Sequence, residues 1–174
     1  MNEQLIKDYK DIEVLKQKYL ERTASLSDEI LNKIPSNGGW SVGQVLYHCG
    51  FAEDGIIKII HKNLAENKVK LKSDFLSILR SKLLVVFLKS PLKFKAPKVV
   101  SSVPEHVSYD EMKKYYKKNS VEFQKILNEL PSDLEDKFIF KHPILGLFNI
   151  QQTLDFLGEH YQHHERQLDA LLGK

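Results

Sequence analysis

Apolar residues recur at intervals of three and four along four long stretches of the chain, and this spacing strongly limits what the chain can fold into. The stretches are residues 3–34, 41–63, 108–130 and 149–172. Charged residues lie between the apolar ones, which is typical of helices that bury one face and expose the other. A strand-like pattern occurs only at residues 137–140. The sequence therefore predicts an all-α protein.

Turn and capping residues separate the predicted helices. Pro35 to Gly39 ends the first helical stretch with residues that favour turns. Ser41 and Gln44 then have the spacing of a capping box, while Trp40 and Val45 have the spacing of a hydrophobic staple. This is the clearest helix start in the chain, and it predicts that the second long helix begins at this point.

Shorter elements lie between the long helices. An accessory helix is predicted over residues 73–89, followed by an irregular, proline-containing connection over 91–104. A second irregular connection covers residues 137–148, and residues 25–28 mark either a break or a second helix start. Together the segments predict a single domain, residues 1–174, built as a four-helix bundle with an accessory helix and a long loop between the second and third long helices.

Composition and cysteine content narrow the class of protein. The chain has 174 residues, of which 42% are hydrophobic and 28% charged, as in ordinary soluble domains. No signal peptide is expected at the N-terminus, and the longest apolar run, residues 83–88, is too short to span a membrane. A single cysteine excludes an internal disulfide and fits a reducing compartment, so a cytoplasmic location is expected.

The positive charge is concentrated in one part of the chain. From Lys58 to Lys98, eleven Lys and Arg residues stand against two acidic ones, a local net charge of +9, whereas the remainder carries fifteen against twenty-one, or −6. One interpretation is a solvated basic flank of a helical protein. The other is a basic rim that attracts an anionic substrate or a membrane surface. No nucleic-acid-binding motif accompanies this segment, so a nucleic-acid partner is not expected.

Three histidines are candidate metal ligands. His160 and His164 are four residues apart, so they lie one turn apart on the same face of the last helix. His48 falls within the apolar stripe of the second long helix. Burying three unpaired imidazoles would cost roughly 1–3 kcal/mol each. One divalent metal ion bound between the two helices would satisfy all three.

The donor set limits the metal and its chemistry. Three neutral imidazoles suit Zn²⁺ or Ni²⁺, with Fe²⁺ and Cu²⁺ as alternatives. Three protein ligands leave at least one coordination position open, which is the catalytic pattern, and a water bound there would have its pKa lowered. Two alternatives stay open: a metal site that only stabilises an interaction module, and three histidines that are merely core residues.

Helical projection places the other polar residues around this face. Gln167 lies one turn further along the ligand face and could contact a ligand, whereas His163 lies at its edge, as a neighbour of the site or a surface residue. Cys49 is predicted to be a small core residue. No carboxylate ligand is expected, because the candidate acidic residues project aside; these are Glu53, Glu159 and Glu165. The residues predicted to face solvent or to lie in loops are Glu53, Asp54, His61, His106 and His142.

Three spaced motifs carry a resemblance to a known family. They are Trp40-Ser41-(x)6-His48, His142-Pro143-(x)2-Gly146 and His160-(x)3-His164-(x)2-Gln167, accompanied by the loop element Lys95-Ala96-Pro97. With the layout of the helices, they resemble the DinB superfamily of metal-dependent proteins over nearly the whole chain.

The resemblance implies an up-down-down-up four-helix bundle with a metal ion held by His48, His160 and His164. Related proteins of this fold include S-transferases that use bacillithiol, mycothiol or glutathione, and a mycothiol-dependent isomerase. Many members are homodimers. The resemblance therefore suggests a metal-dependent enzyme, either a thiol S-transferase or a hydrolase, that acts on a small electrophilic substrate. The basic residues Lys89, Lys93, Lys95 and Lys98 would hold an anionic cosubstrate.

Overall fold

The protein was analysed as a computed structural model that describes residues 3–36, 38–69, 71–89, 103–144 and 146–173. The described helices are α1 (Glu3–Thr23), α2 (Asp28–Asn32), α3 (Val42–Ala65), α4 (Phe75–Lys89), α5 (Tyr109–Glu129) and α6 (Ile150–Leu172). A 3₁₀ turn at Ser132–Leu134 and two short strands, β1 (Phe140–His142) and β2 (Gly146–Phe148), lie between α5 and α6. The predicted all-α class is confirmed, and the predicted connection at 91–104 lies mostly outside the described residues.

The first predicted helix is two helices, as one of the two sequence interpretations held. α1 ends at Thr23, where the threonine hydroxyl donates to the carbonyl of Tyr19 at 2.8 Å. The short α2 begins after Ser27, whose hydroxyl accepts the amide of Ile30 at 3.3 Å. Residues 25–28 therefore mark a second helix start. The amides in the first turn of a helix lack carbonyl partners within the helix, and Ser27 accepts one of them.

The connection over 137–148 contains a β-hairpin that the sequence did not predict. β1 pairs with β2 in antiparallel register, with Phe140 opposite Phe148 and His142 opposite Gly146. Gly146 has a φ of +85°, a backbone conformation that other residues rarely adopt. The predicted extended piece at 137–140 overlaps β1 only at Phe140. The turn between the two strands, rather than the apolar run, sets which residues pair.

The first and last helices run parallel. Gln151 near the start of α6 donates to Asp8 of α1 at 2.7 Å, and Arg22 near the end of α1 pairs with Asp169 at 2.6 Å. The starts of the two helices are in contact and so are their ends, which is possible only if the helices point the same way.

The two inner helices also run parallel. Tyr116 of α5 donates to the carbonyl of Leu46 of α3 at 2.9 Å, and Asn119 donates to that of Gly50 at 2.8 Å. The residue numbers of α3 and α5 increase in the same direction along this interface, so the two helices are parallel. A glycine is required at position 50, since an added Cβ would lie 2.8 Å from the Tyr116 ring.

The two parallel pairs are antiparallel to each other. Tyr109 at the start of α5 donates to Leu20 near the end of α1 at 3.0 Å, and the Tyr9 ring near the start of α1 stacks on Phe123 at 4.6 Å. The bundle therefore has the up-down-down-up topology that the resemblance implied. None of the described helices has the length and apolar character needed to cross a membrane.

A buried carboxylate joins the four long helices. Glu53 of α3 is 0% exposed and accepts hydrogen bonds from Tyr9 at 2.8 Å, Lys16 at 2.9 Å and Tyr161 at 3.1 Å. The amide of Asn119, on α5, lies 3.5 Å away. We refer to these five residues as the Glu53 network.

The prediction that Glu53 and Asp54 face solvent is wrong. Both are buried, and Asp54 lies within ion-pair distance of Lys58 at 2.5 Å and of Lys118 at 3.6 Å. The projection assumed a single buried stripe on α3. In the structure α3 packs between α5 and α6 and also meets side chains from α1, so its buried face is wider than one stripe.

We predict that Lys16→Met destabilises the fold by about 3–5 kcal/mol, because it leaves the Glu53 carboxylate buried without a counter-charge. Chemical denaturation measures the loss. Lys10→Met, at an exposed position of the same helix, is the matched control and should change stability little. Adding Glu53→Leu to Lys16→Met should recover part of the loss. Equal stabilities of the two lysine variants would contradict the predicted role of the buried pair.

Candidate metal centre

Two capping boxes fix the starting points of the helices that carry the candidate ligands. At the start of α3, Ser41 accepts the amide of Gln44 at 3.1 Å and its own amide donates to the Gln44 side chain at 3.1 Å. At the start of α6, Asn149 and Gln152 make the same reciprocal pair, at 2.9 Å in each direction. The first box confirms the prediction. The second was missed, although glutamine three residues after asparagine was a visible signal.

Three histidines converge between α3 and α6. The Nε2 atoms of His48 and His160 lie 3.1 Å apart, and one ring nitrogen from each of His48, His160 and His164 lies within 4.8 Å of the others. All three side chains are buried, with 4%, 8% and 7% of their surface exposed. Ligands about 2.0–2.1 Å from one metal ion are separated by roughly 3–3.5 Å. The His48–His160 separation matches this spacing, and the His164 nitrogen lies close enough to join the other two with a small shift.

Burial keeps the imidazoles of His160 and His164 neutral. It lowers the pKa of His164 to about 3, assisted by the nearby His48, and lowers the pKa of His160 well below its usual value, assisted by His164 and His48. A metal ion binds the neutral form, so no protons need to be released near neutral pH. The cluster can therefore bind a cation without His160 or His164 first losing a proton.

Gln167 selects the nitrogen that His164 presents. The Nδ1–H group of His164 donates to the Gln167 carbonyl oxygen at 2.9 Å. The Nε2 atom consequently carries the lone pair and is free to bind a metal. His160 differs, because its Nδ1 atom is buried without a hydrogen-bond partner among the described residues. The Nε2 atom of His160, in contrast, faces His48 within the cluster.

Aromatic rings surround the cluster. The Trp40 ring lies 4.7 Å from His48 and 6.4 Å from His164, measured between ring centroids. The Phe156 ring lies 5.5 Å from His160 on the other side. These rings lower the local dielectric constant and strengthen electrostatic interactions with any ion held there. The sequence predicted Trp40 as part of a helix start, and its position over the histidines was not foreseen.

His163 and Cys49 lie outside the cluster, as predicted. The Nδ1 atom of His163 donates to the carbonyl of Leu88 on α4 at 3.0 Å. Cys49 is fully buried in the core, and burial raises the pKa of its thiol well above the usual value. Neither residue is arranged as a ligand. Among the described residues, the group able to hold a metal consists of His48, His160 and His164.

His142 corrects a prediction. Expected in a loop or facing solvent, it lies in β1, is 8% exposed and packs against Phe156 at 4.8 Å and Phe148 at 5.6 Å. The alternation of Phe140, Lys141 and His142 between buried and exposed positions was the signal that was missed. His61 and His106, in contrast, are exposed and lie beside the carboxylates of Glu122 and Asp28, respectively, as expected of solvent-facing residues.

The fold and the histidine cluster define the class of protein: a helical bundle with a candidate three-histidine metal centre. The family model of the DinB superfamily matches residues 12–168. The chain therefore belongs to the DinB superfamily, as its motifs indicated.

Two individual relatives were found by comparison. The uncharacterized Bacillus subtilis protein YuaE is 26% identical over 151 residues, which cover 86% of this chain and 87% of YuaE. The structure of Bacillus subtilis YfiT matches with a TM-score of 0.57 at 16% identity and covers 99% of this chain and 90% of YfiT. YfiT is described as a probable metal-dependent hydrolase with an unusual four-helix bundle topology. At this identity the likeness shows the fold.

We predict that His142 makes the fold sensitive to acid. Burial lowers its pKa from 6.5 to about 4, and Nδ1 already accepts the amide of Ile144 at 3.2 Å. Between these pH values the unfolded chain binds a proton that the folded protein does not, so stability falls as the pH falls. The effect reaches about 3 kcal/mol below pH 4.

The measurement is the free energy of unfolding from pH 7 to pH 4 for wild type and His142→Gln. The variant should have the shallower dependence. His61→Gln, at an exposed histidine, serves as the control and should follow wild type. Parallel curves for wild type and His142→Gln would exclude His142 as the acid-sensitive group.

Proposed function

We propose that this protein is a metal-dependent enzyme that acts on a small electrophilic substrate, with one divalent ion held by His48, His160 and His164. The observation that carries the proposal is the convergence of three buried imidazoles with no fourth protein ligand among the described residues. Structural metal sites are usually closed by four protein ligands, whereas catalytic sites keep a position open. The description of YfiT as a probable metal-dependent hydrolase supports the same class of function.

Each residue at the site has a defined part in this proposal. The three histidines supply neutral nitrogen donors, and Gln167 holds His164 in the tautomer that presents Nε2. Trp40 and Phe156 exclude water from two sides of the cluster. The bound ion would act as a Lewis acid that polarises the substrate and favours the ionised form of a coordinated nucleophile. The donor set favours Zn²⁺ or Ni²⁺, with Fe²⁺ as the next candidate.

The attacking group comes from outside the chain. It is water in a hydrolase and a low-molecular-weight thiol in an S-transferase. Cys49 cannot supply the thiolate, because it is fully buried and its pKa is raised. The basic residues proposed to hold an anionic cosubstrate, Lys93, Lys95 and Lys98, lie outside the described residues, as does the side chain of Lys89.

The proposal places the enzyme in the cytoplasm, since a single cysteine fits a reducing compartment. It is a homodimer of one-domain subunits, residues 1–174, on the strength of the family resemblance. The alternative is a metal-binding bundle without catalysis, in which the ion only holds α3 and α6 together. The burial of all three histidines supports this alternative, because a metal at such a position also stabilises the fold. Both the enzyme and the non-catalytic bundle would bind a metal ion, so metal binding and turnover must be measured separately.

The first prediction concerns metal content. Protein purified after loading with Zn²⁺ or Ni²⁺ should hold about one ion per chain, and His164→Ala should lose it because one of three donors is removed. His163→Ala is the matched control: the same substitution, one residue away, at a side chain that contacts Leu88. Elemental analysis and thermal unfolding with and without chelator give the readout. Loss of metal in His163→Ala but not in His164→Ala would overturn the ligand assignment.

The second prediction concerns turnover. The metal-loaded protein should either hydrolyse activated esters and amides, or conjugate a small electrophile with bacillithiol, mycothiol or glutathione. Turnover should disappear with chelator and in His164→Ala, and persist in His163→Ala. If one ion binds and stabilises the protein but no thiol or ester substrate is turned over, the non-catalytic alternative replaces the enzyme.

A further inference from the structure

Helix α4 buries Leu84 against the bundle but presents most of its described apolar residues outward. Ser77 and Ser81 face the bundle, with 2% and 6% of their surface exposed, whereas Phe75 is 80%, Leu79 54% and Leu83 61% exposed. Ser77 lies 3.4 Å from the amide nitrogen of Gln152 on α6. An amphipathic helix on a soluble bundle normally has the opposite orientation. The outward face is therefore not explained by packing within the described residues.

Exposed apolar side chains lie on α4 and on the neighbouring hairpin. Five exposed apolar residues of α4 project within an arc of about 100°; these are Phe75, Leu76, Leu79, Leu83 and Val86. The hairpin lies beside this helix, with Gly146 next to the Arg80 side chain, and adds Ile144 at 70% and Leu147 at 39% exposure. We call these seven side chains the α4 face. Exposed apolar patches of this kind mark interaction sites.

Cations border the apolar arc of α4 on both sides. Lys82 projects at one edge of the apolar arc and Arg80 at the other, and both are exposed. Among the described residues neither forms an ion pair. Residues 75–89 contain no Asp or Glu, and Asp74, the nearest acidic residue, caps the helix by accepting the Ser77 amide at 2.7 Å.

This charge pattern decides between partners. In a contact between two copies of the α4 face, the flanking cations would meet cations, with no carboxylate on the helix to neutralise them. An anionic lipid surface supplies both missing partners: an apolar interior for the leucines and phenylalanine, and negative headgroups for Lys82 and Arg80. Lysine and arginine extend their charged ends to such headgroups while their stems stay on apolar surface.

We propose that the α4 face binds the surface of an anionic membrane. The 15-residue α4 lies in the plane of the interface, with its apolar side chains entering the region between headgroups and acyl chains. The bundle remains outside the bilayer, docked on the opposite side of α4. The interaction is peripheral and weakens with salt, since part of it is electrostatic.

The test is co-sedimentation of the full chain with vesicles of phosphatidylcholine and phosphatidylglycerol, and with vesicles of phosphatidylcholine alone. Binding is expected for the anionic vesicles and should weaken with added salt. Lys82→Gln should reduce it about fivefold, the equivalent of ~1 kcal/mol. The double variant Leu79→Glu, Leu83→Glu should abolish it.

Val121→Glu is the matched control, because Val121 is an exposed apolar residue, at 56%, on α5 and away from the α4 face. Circular dichroism verifies that each variant is folded, which is expected at exposed positions. Absence of binding to anionic vesicles, or equal loss in Val121→Glu, would overturn the proposal. So would a wild-type dimer in light scattering that the double variant converts to monomer, since the face would then belong to a second copy.

Discussion

The carboxylate of Glu53 is the contact on which the arrangement of the bundle depends. It accepts hydrogen bonds from α1 and α6 and lies within reach of an α5 amide, so all four long helices meet at one buried charge. Hydrophobic contacts allow a helix to rotate or slide at modest cost, whereas a buried ion pair with defined hydrogen bonds does not. The Glu53 network therefore sets how each helix is rotated about its axis.

That rotation determines where the histidines lie. Tyr161, which donates to Glu53, adjoins His160, so holding the tyrosine toward the network turns His160 and His164 toward α3. On α3, Glu53 and His48 are five residues apart and project in different directions, one to the ion pair and one to the cluster. The interior is thus divided into a charged part and a neutral part. The division suits a cation, because burial holds His160 and His164 in the neutral form, which does not repel positive charge.

The sequence predicted the features that depend on local spacing. Histidines four residues apart share a helix face whatever surrounds them, and the Ser41–Gln44 cap is complete within one turn, so the helix starts and the histidine cluster were foreseen. Glu53 and His142 were not. Burial of Glu53 requires partners on three other helices, and burial of His142 requires a hairpin fixed by a glycine turn. The long-range contacts of Glu53 leave no periodic signal in a single sequence, and the alternation at His142 covers only three residues.

Helix α4 is attached to the same helix that carries two of the candidate ligands. His163 and Arg166 of α6 both donate to the carbonyl of Leu88, near the end of α4, where helix carbonyls otherwise lack partners. His163 directly precedes His164, so the turn of α6 that presents a candidate ligand inward also holds α4 outward. The small serines on the inner side of α4 allow the two helices to pack closely. A surface that engages the outer side of α4 is therefore separated from the histidine cluster by a single pair of packed helices.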